Sequence, residues 1–250
     1  LLRKPMFWTE RSVELLEGVR VVHLDRAAKT LRLSDDRTVG YGYLIIATGG
    51  RARPIPCPGA DLVGVHYLRS IADVDAIKAD LGAASRIAVV GGGYIGLEVA
   101  AVARKLGLEV TLIEALDRVL ARVTSPIVSR FYEATHRARG VDIRLGTGVA
   151  AFEGSRRVQG VRLADGSEVP CDFVIVGIGI IPNVEFAADA GLAVDNGIVV
   201  DEVCASSDPA IYAIGDCAAH ANVFAGKRIR LESVQNAVDQ AKTAVAAIMG

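Results

Sequence analysis

The sequence predicts an α/β fold in which one complete strand–turn–helix–strand unit is inserted into a second domain built from both ends of the chain. Three observations predict it. Residues 89–114, VVGGGYIGLEVAAVARKLGLEVTLIE, pass from a buried strand through a glycine turn into an amphipathic helix and out along a second apolar strand. Three other apolar runs, YLIIATGG, FVIVGIG and IYAIGDCA, each end in a glycine turn. Finally, the β-rich opening has no visible core partner, and the closing strand and helix lack a parallel neighbour. Both ends are satisfied if they pack together, giving a discontinuous domain of residues 1–51 and 181–250 around an inserted domain of residues 52–180.

The elements follow in order. VRVVHLD and KTLRLSD read as short strands joined through Asp25–Ala28, with a turn at Asp35-Asp36. YLIIATGG is a buried strand, and the proline-rich RARPIPCPGA after it reads as an irregular linker. Ser70 followed by Asp73 forms a capping box that opens a helix to about Leu81. RIAVVGG is a strand, 94–106 a helix and LEVTLIE a strand. A further helix spans 125–138, with Pro126 in its first turn. VDIRLG is a strand, VQGVRLADGSEVP a hairpin around Asp165-Gly166, and FVIVGIG a strand buried on both faces. A short helix over 184–190, the strands GIVVD and IYAIGD, and a helix from about Ser233 complete the chain.

Composition narrows the function. Of 250 residues, 51% are apolar, enough for a sizeable core, and the net charge of −1 exerts no general pull on nucleic acid. No apolar run reaches the ~18 residues that cross a bilayer. Cys57, Cys171, Cys204 and Cys217 are too scattered for a zinc ribbon or a CxxC pair, so they read as thiols of a reducing, cytoplasmic compartment. His23, His66, His136 and His220 form no metal-spaced pair. Arg137, Arg139 and Arg144 read either as a basic patch or as a solvated helix end.

The turn Gly91-Gly92-Gly93-Tyr94-Ile95-Gly96 fits G-x-G-x-x-G. The first glycine allows the tight turn, the second lets backbone approach a pyrophosphate, and the third lets helix lie against strand. The helix N-terminus offers free N–H groups to the anion. Glu114 ends the second strand about 20 residues on, where a carboxylate accepts from a ribose 2′-hydroxyl. It would repel a 2′-phosphate, which favours NADH, while Arg118 keeps NADPH open. Glu98 reads either as a carboxylate near a helix N-terminus or as a group beside the nicotinamide or flavin.

With Thr48-Gly49-Gly50 and Gly215-Asp216 after two other strands, the sequence resembles the FAD-dependent pyridine nucleotide-disulfide oxidoreductases, in particular the NADH:ferredoxin reductase (putidaredoxin reductase-like) branch. LIIATGGRARPIP, VHYLRSIADVDAIK, VVGGGYIGLEVAA, RVLARVTSPIVSRFYE, GVDIR, GIGIIPN, VDNGIVVDE, SSDPAIYAIGDCA and RLESVQNAVDQA carry the resemblance across nearly all of the chain. It implies a Rossmann-like NAD-binding domain inserted in an FAD-binding domain. It also implies that the chain is a fragment, lacking an N-terminal FAD glycine loop and a C-terminal domain.

The resemblance assigns FAD contacts to Val21, Thr48, Gly49, Arg69, Gly215, Asp216 and Val234. It assigns NAD contacts to Gly91–Gly96, Glu114, Ile178 and Gly179, and places Glu98 near the nicotinamide. Valine at 234 departs from relatives that carry an aromatic there. The implied reaction is hydride transfer from NADH to FAD, then single-electron transfer to a ferredoxin-type iron–sulfur protein serving an oxygenase. A disulfide reductase of the same superfamily, an apoptosis-inducing-factor-like redox-linked binding protein, and a bare NAD-binding module are the alternatives.

Overall fold

The computed structural model describes residues 3–82 and 84–250; Leu1, Leu2 and Ala83 lie outside them. The chain divides into two compact units, one of Leu1–Gly50 with Pro182–Gly250 and one of Arg51–Ile181.

The first unit opens with helix α1 (Pro5–Thr9), whose proline at the first position already has a helical φ. An antiparallel meander follows: β1 (Val21–Asp25), β2 (Thr30–Leu33) and β3 (Thr38–Gly40). The Asp25 carboxylate accepts from the Ala28 N–H at 2.9 Å, which closes the first turn. Then comes β4 (Leu44–Ile46).

The second unit begins at Arg51, within β5 (Gly50–Ala52), so Arg51 and Ala52 are strand, not linker as RARPIPCPGA suggested. Arg51 and Ala52 precede the prolines, and it is Pro54, Pro56 and Pro58 that end the strand by withholding N–H donors. The chain continues through β6 (Val65–Tyr67), α2 (Ile71–Leu81), β7 (Arg86–Val90), α3 (Tyr94–Lys105) and β8 (Glu109–Glu114). After these come α4 (Pro126–Ala138), β9 (Val141–Leu145), β10 (Val149–Gly154), β11 (Val158–Leu163), β12 (Glu168–Pro170), β13 (Phe173–Val176) and β14 (Ile180–Pro182). The Ser70 hydroxyl and the Asp73 carboxylate satisfy each other's backbone N–H at the start of α2.

A five-stranded parallel sheet of order β6-β13-β7-β8-β9 is the frame. Side-chain alternation along each strand divides its core. Ile87, Val89, Leu112 and Phe173 face Leu97 and Ala100 of α3. Ala88, Val90, Ile113 and Val174 pack with Phe152, Val161 and Leu163 of the antiparallel meander β10-β11-β12. With both faces covered, β13 is buried at every position, hence the unbroken apolar run FVIV.

The first unit resumes with α5 (Glu185–Asp189), β15 (Ile198–Val200), β16 (Ile211–Ala213), a tight 3₁₀ turn at Gly215–Cys217, β17 (Ala218–Asn222), β18 (Lys227–Ile229) and α6 (Val234–Met249). β16 pairs in parallel with β4, Ala213 opposite Ile46, which joins the two ends of the chain. Leu24, Ile46, Ala187, Leu192, Ile198 and Ile211 share one core. Arg26 reinforces it, donating to the Asp208 carboxylate at 2.9 Å and to the Gly191 carbonyl at 3.2 Å. Among the described residues, no helix is long and apolar enough to cross a membrane.

Candidate functional site

The glycine turn of the second unit joins β7 to α3 at the C-terminal edge of the parallel sheet. Its glycines have different tasks. Gly91 has φ +108°, and a side chain there would overlap the Gly177 carbonyl of the neighbouring turn. At Gly96 a Cβ would overlap the Gly91 carbonyl oxygen, so the helix can lie this close only without one. Gly93 is the opposite case. Its φ is −77°, open to any residue, and a Cβ there would meet nothing within 4 Å. It faces the open space at the head of α3, whose first turn receives no side-chain cap. Uncapped N–H groups beside an unobstructed backbone suit an anionic pyrophosphate. Tyr94 and Ile95 open the helix, both exposed.

Glu114 lies beside this turn, at the end of β8. One carboxylate oxygen accepts from the Gly92 N–H at 2.6 Å and the other from the Leu116 N–H at 2.8 Å. Each oxygen has a further lone pair for a hydroxyl. The same carboxylate is therefore an anchor of the glycine turn as well as an acceptor fit for a ribose.

Arg118 points elsewhere. Its guanidinium donates to the Thr124 carbonyl at 3.0 Å, the Ser129 hydroxyl at 2.8 Å and the Ala121 carbonyl at 2.8 Å. These bonds fold the segment after β8 back onto α4. Ile178 and Gly179 follow β13, the strand next to β7. Gly177 donates to the Val90 carbonyl at 2.7 Å, and this places the GIG turn against the glycine turn. Glu98 is exposed on α3, just past its first turn.

In the first unit two turns leave the C-terminal ends of the adjacent parallel strands β4 and β16. The Ile214 N–H donates to the Ile46 carbonyl at 3.0 Å, continuing the pairing to the end of both strands. Thr48-Gly49 and Gly215-Asp216 are thereby brought to the same edge. Gly49 and Gly215 both have positive φ, +59° and +69°, a conformation that favours glycine. Val21 is half-buried at the start of β1. Val234 is exposed in the first turn of α6, where Ser233 accepts from the Asn236 N–H at 3.1 Å. Arg69 belongs to the second unit, between β6 and α2, where its N–H donates to Asp73 at 3.0 Å.

Three residues that hold these turns went unassigned in the sequence. Asn183 accepts from the Thr48 hydroxyl at 2.7 Å through its carbonyl and donates its side-chain amide back to the Thr48 carbonyl at 3.0 Å. Buried Gln240 accepts from the Gly215 N–H at 2.7 Å. Arg230, whose side chain is only 8% exposed, donates to the Asp216 carbonyl at 3.1 Å. A polar residue one helical turn after Asn236, on the same face of α6, is the one sequence signal that marks Gln240.

All four thiols are free, and burial pushes Cys171 up to about 12, so it stays protonated. The arginine cluster is partly neutralised: Arg137 pairs with Glu133 at 3.3 Å and Arg144 with Asp142 at 2.8 Å.

The chain is similar to known proteins along its whole length. The 5,5'-dehydrodivanillate O-demethylase ferredoxin reductase subunit of Sphingobium sp. is 55% identical, over 100% of this chain and 61% of its own length. A ferredoxin reductase from Rhodopseudomonas palustris superposes with a TM-score of 0.97 at 41% identity, matching 100% of this chain and 62% of that one. The reductase in a covalent putidaredoxin reductase–putidaredoxin complex superposes with a TM-score of 0.94 at 46% identity, over 99% of this chain and 61% of its own. The chain thus spans about three fifths of the length of these relatives. The pyridine nucleotide-disulphide oxidoreductase family model matches residues 6–241. With that match covering nearly all of its length, the chain belongs to the pyridine nucleotide-disulphide oxidoreductases.

Proposed function

We propose that this chain carries the nucleotide-binding part of an NADH-dependent ferredoxin reductase. The second unit is its NAD domain, and the first unit is part of its FAD domain. The observation that carries the reading is the open Gly93 at the uncapped head of α3, with the Glu114 carboxylate hydrogen-bonded to the adjoining Gly92 amide. The α3 amides hold a pyrophosphate, and Glu114 accepts from a ribose hydroxyl. Because a carboxylate there repels a 2′-phosphate and Arg118 is engaged elsewhere, the coenzyme is NADH.

Thr48, Gly49, Gly215 and Asp216 hold FAD, with the Asp216 carboxylate accepting from a ribityl hydroxyl. Val21 and Val234 offer backbone, and Arg69 and Glu98 serve the flavin and nicotinamide. FAD when bound supplies the chemistry, accepting a hydride and releasing electrons singly. The chain's own residues bind, orient and shield, and the reaction needs no protein nucleophile. The acceptor is a ferredoxin-type iron–sulfur protein serving an oxygenase, as the names of the similar proteins suggest for those proteins. The free thiols support a cytoplasmic location.

The test uses the full-length protein loaded with FAD. Anaerobic NADH is expected to bleach the flavin, and an added ferredoxin to restore its colour with matching reduction of the iron–sulfur centre. Flavin that stays oxidised under NADH but bleaches under NADPH would overturn the coenzyme assignment. Reduced flavin that passes electrons to a disulfide and not to a ferredoxin would overturn the acceptor.

A further inference from the structure

Helix α4 poses a physical problem. Its two buried positions, Ser129 and Glu133, are both polar, one helical turn apart on the same face. Burying a hydroxyl and a carboxylate is unfavourable unless both find partners. Here the partners are the two backbone groups of a single residue. The Ser129 hydroxyl donates to the Val119 carbonyl at 2.6 Å, and the Val119 N–H donates to Glu133 Oε1 at 3.2 Å. Arg118 donates to the same Ser129 hydroxyl at 2.8 Å, and Arg137 donates to Glu133 Oε2 at 3.3 Å.

What this grip holds leads back to the glycine turn. The Val119 side chain is fully buried and lies where a Cβ on Gly92 would come within 3.1 Å of it. The next residue, Leu120, donates its N–H to the Gly92 carbonyl at 2.9 Å. Leu120 does so with φ +54°, a left-handed conformation that a bulky residue adopts only when its surroundings impose it. Gly92 is thus fixed through its N–H by Glu114 and through its carbonyl by Leu120.

We propose that Ser129 and Glu133 are positioning residues for the dinucleotide site, acting through Val119 and Leu120 to hold Gly92 so that the amides at the head of α3 are presented to the pyrophosphate. The inference rests on the reading of the second unit as an NAD domain. It adds a remote determinant of coenzyme affinity, on a helix that contributes nothing to the glycine motif. It also gives the Arg118 guanidinium a purpose, orienting the Ser129 hydroxyl.

The test measures NAD+ binding by calorimetry, and amide hydrogen exchange, on the chain and three variants. Glu133→Met removes the acceptor at similar volume, Ser129→Ala removes the donor, and Glu133→Gln keeps an oxygen for the Val119 N–H but loses the charge. Glu133→Met and Ser129→Ala are expected to weaken NAD+ by about tenfold each and to speed exchange at Gly92 and Leu120. Glu133→Gln is expected to bind within about twofold of the parent, because a neutral side-chain oxygen still accepts. Unchanged affinity in Glu133→Met and Ser129→Ala overturns the proposal. So does a loss in Glu133→Gln equal to that in Glu133→Met, since the charge, not the grip on Val119, would then be what matters. If Glu133→Met fails to fold by circular dichroism, Ser129→Ala decides alone by the same criterion. Failure of the unaltered chain to bind NAD+ would strike the NAD-domain reading itself, a result distinct from any of these.

Discussion

The glycine turn of the second unit and the Gly215–Cys217 turn of the first are anchored by different chemistry. In the second unit a carboxylate, Glu114, takes the Gly92 N–H, and the partners come from the strand and helix that follow the turn. In the first unit a neutral amide, Gln240, takes the Gly215 N–H, and Asn183 clasps Thr48 from 135 residues away in sequence. A charged anchor doubles as a polar ligand for a sugar and repels phosphate. A neutral anchor sets backbone shape without adding charge, leaving Asp216 as the carboxylate of its own turn. The contrast suits the proposed roles of the two turns, NADH selection in the second unit and FAD retention in the first.

The largest expected effect separates the two kinds of glycine. Gly96→Ala drives a methyl into the Gly91 carbonyl, so it should cost about 1–3 kcal/mol of stability, or more, and abolish NAD+ binding. Gly93→Ala should change stability by less than about 1 kcal/mol, since the space is open and φ is ordinary, yet weaken NAD+ where the pyrophosphate approaches. Thermal melts with calorimetry check the pair; equal melting losses would break the distinction.

Next is the neutral anchor. Gln240→Met strands the buried Gly215 N–H and should cost about 1–3 kcal/mol. In the full-length protein it should also lower the flavin retained after dialysis. Full retention would mean that the turn keeps its shape unaided.

A smaller change is expected at the charged anchor. Glu114→Ala should weaken NADH by about 1–2 kcal/mol by loss of a charged acceptor. Glu114→Gln should fall between, because its amide keeps one acceptor oxygen but turns a donor toward the Leu116 N–H. Binding titrations order the three proteins, and a tie between Gln and Ala would show that both oxygens are required.

The smallest effect concerns acid. In the first unit the Arg26 hydrogen bond holds Asp208 below the usual carboxylate range. In the second, burial pushes Asp80 up, but hydrogen bonds from Arg157 and His66 outweigh it and the net shift is downward. A folded value below the unfolded one stabilises fully above the unfolded range near pH 4 and is lost as pH falls through the folded value. Asp208→Asn should therefore melt below the parent at neutral pH, and the two curves should converge in strong acid. Parallel curves would contradict the Arg26 pairing.

The same comparison explains what the sequence revealed. The second unit's turn was legible because motif, helix and carboxylate all lie within residues 89–114, where spacing alone fixes geometry. The Ser70 cap and the Asp165-Gly166 hairpin were legible for the same reason. Strands β6 and β10 were not, being too short or too irregular to show a period; β10 carries register shifts on both sides of Phe152. Asn183, Gln240 and Arg230 were invisible as anchors because each acts on a turn reached only after the chain has folded back. Glu133 was hidden for another reason: on an amphipathic helix a glutamate reads as solvated, and only the position of Val119 shows it buried.

In the proposed function the head of α3 holds the pyrophosphate of NAD+. The most direct measurement is a titration of the isotope-labelled chain with NAD+, following backbone amide resonances. Gly92, Gly93, Tyr94 and Ile95 are expected to shift together and saturate in step with binding, with Leu116 following through Glu114. Saturable binding that leaves those amides unmoved and shifts residues elsewhere would contradict it.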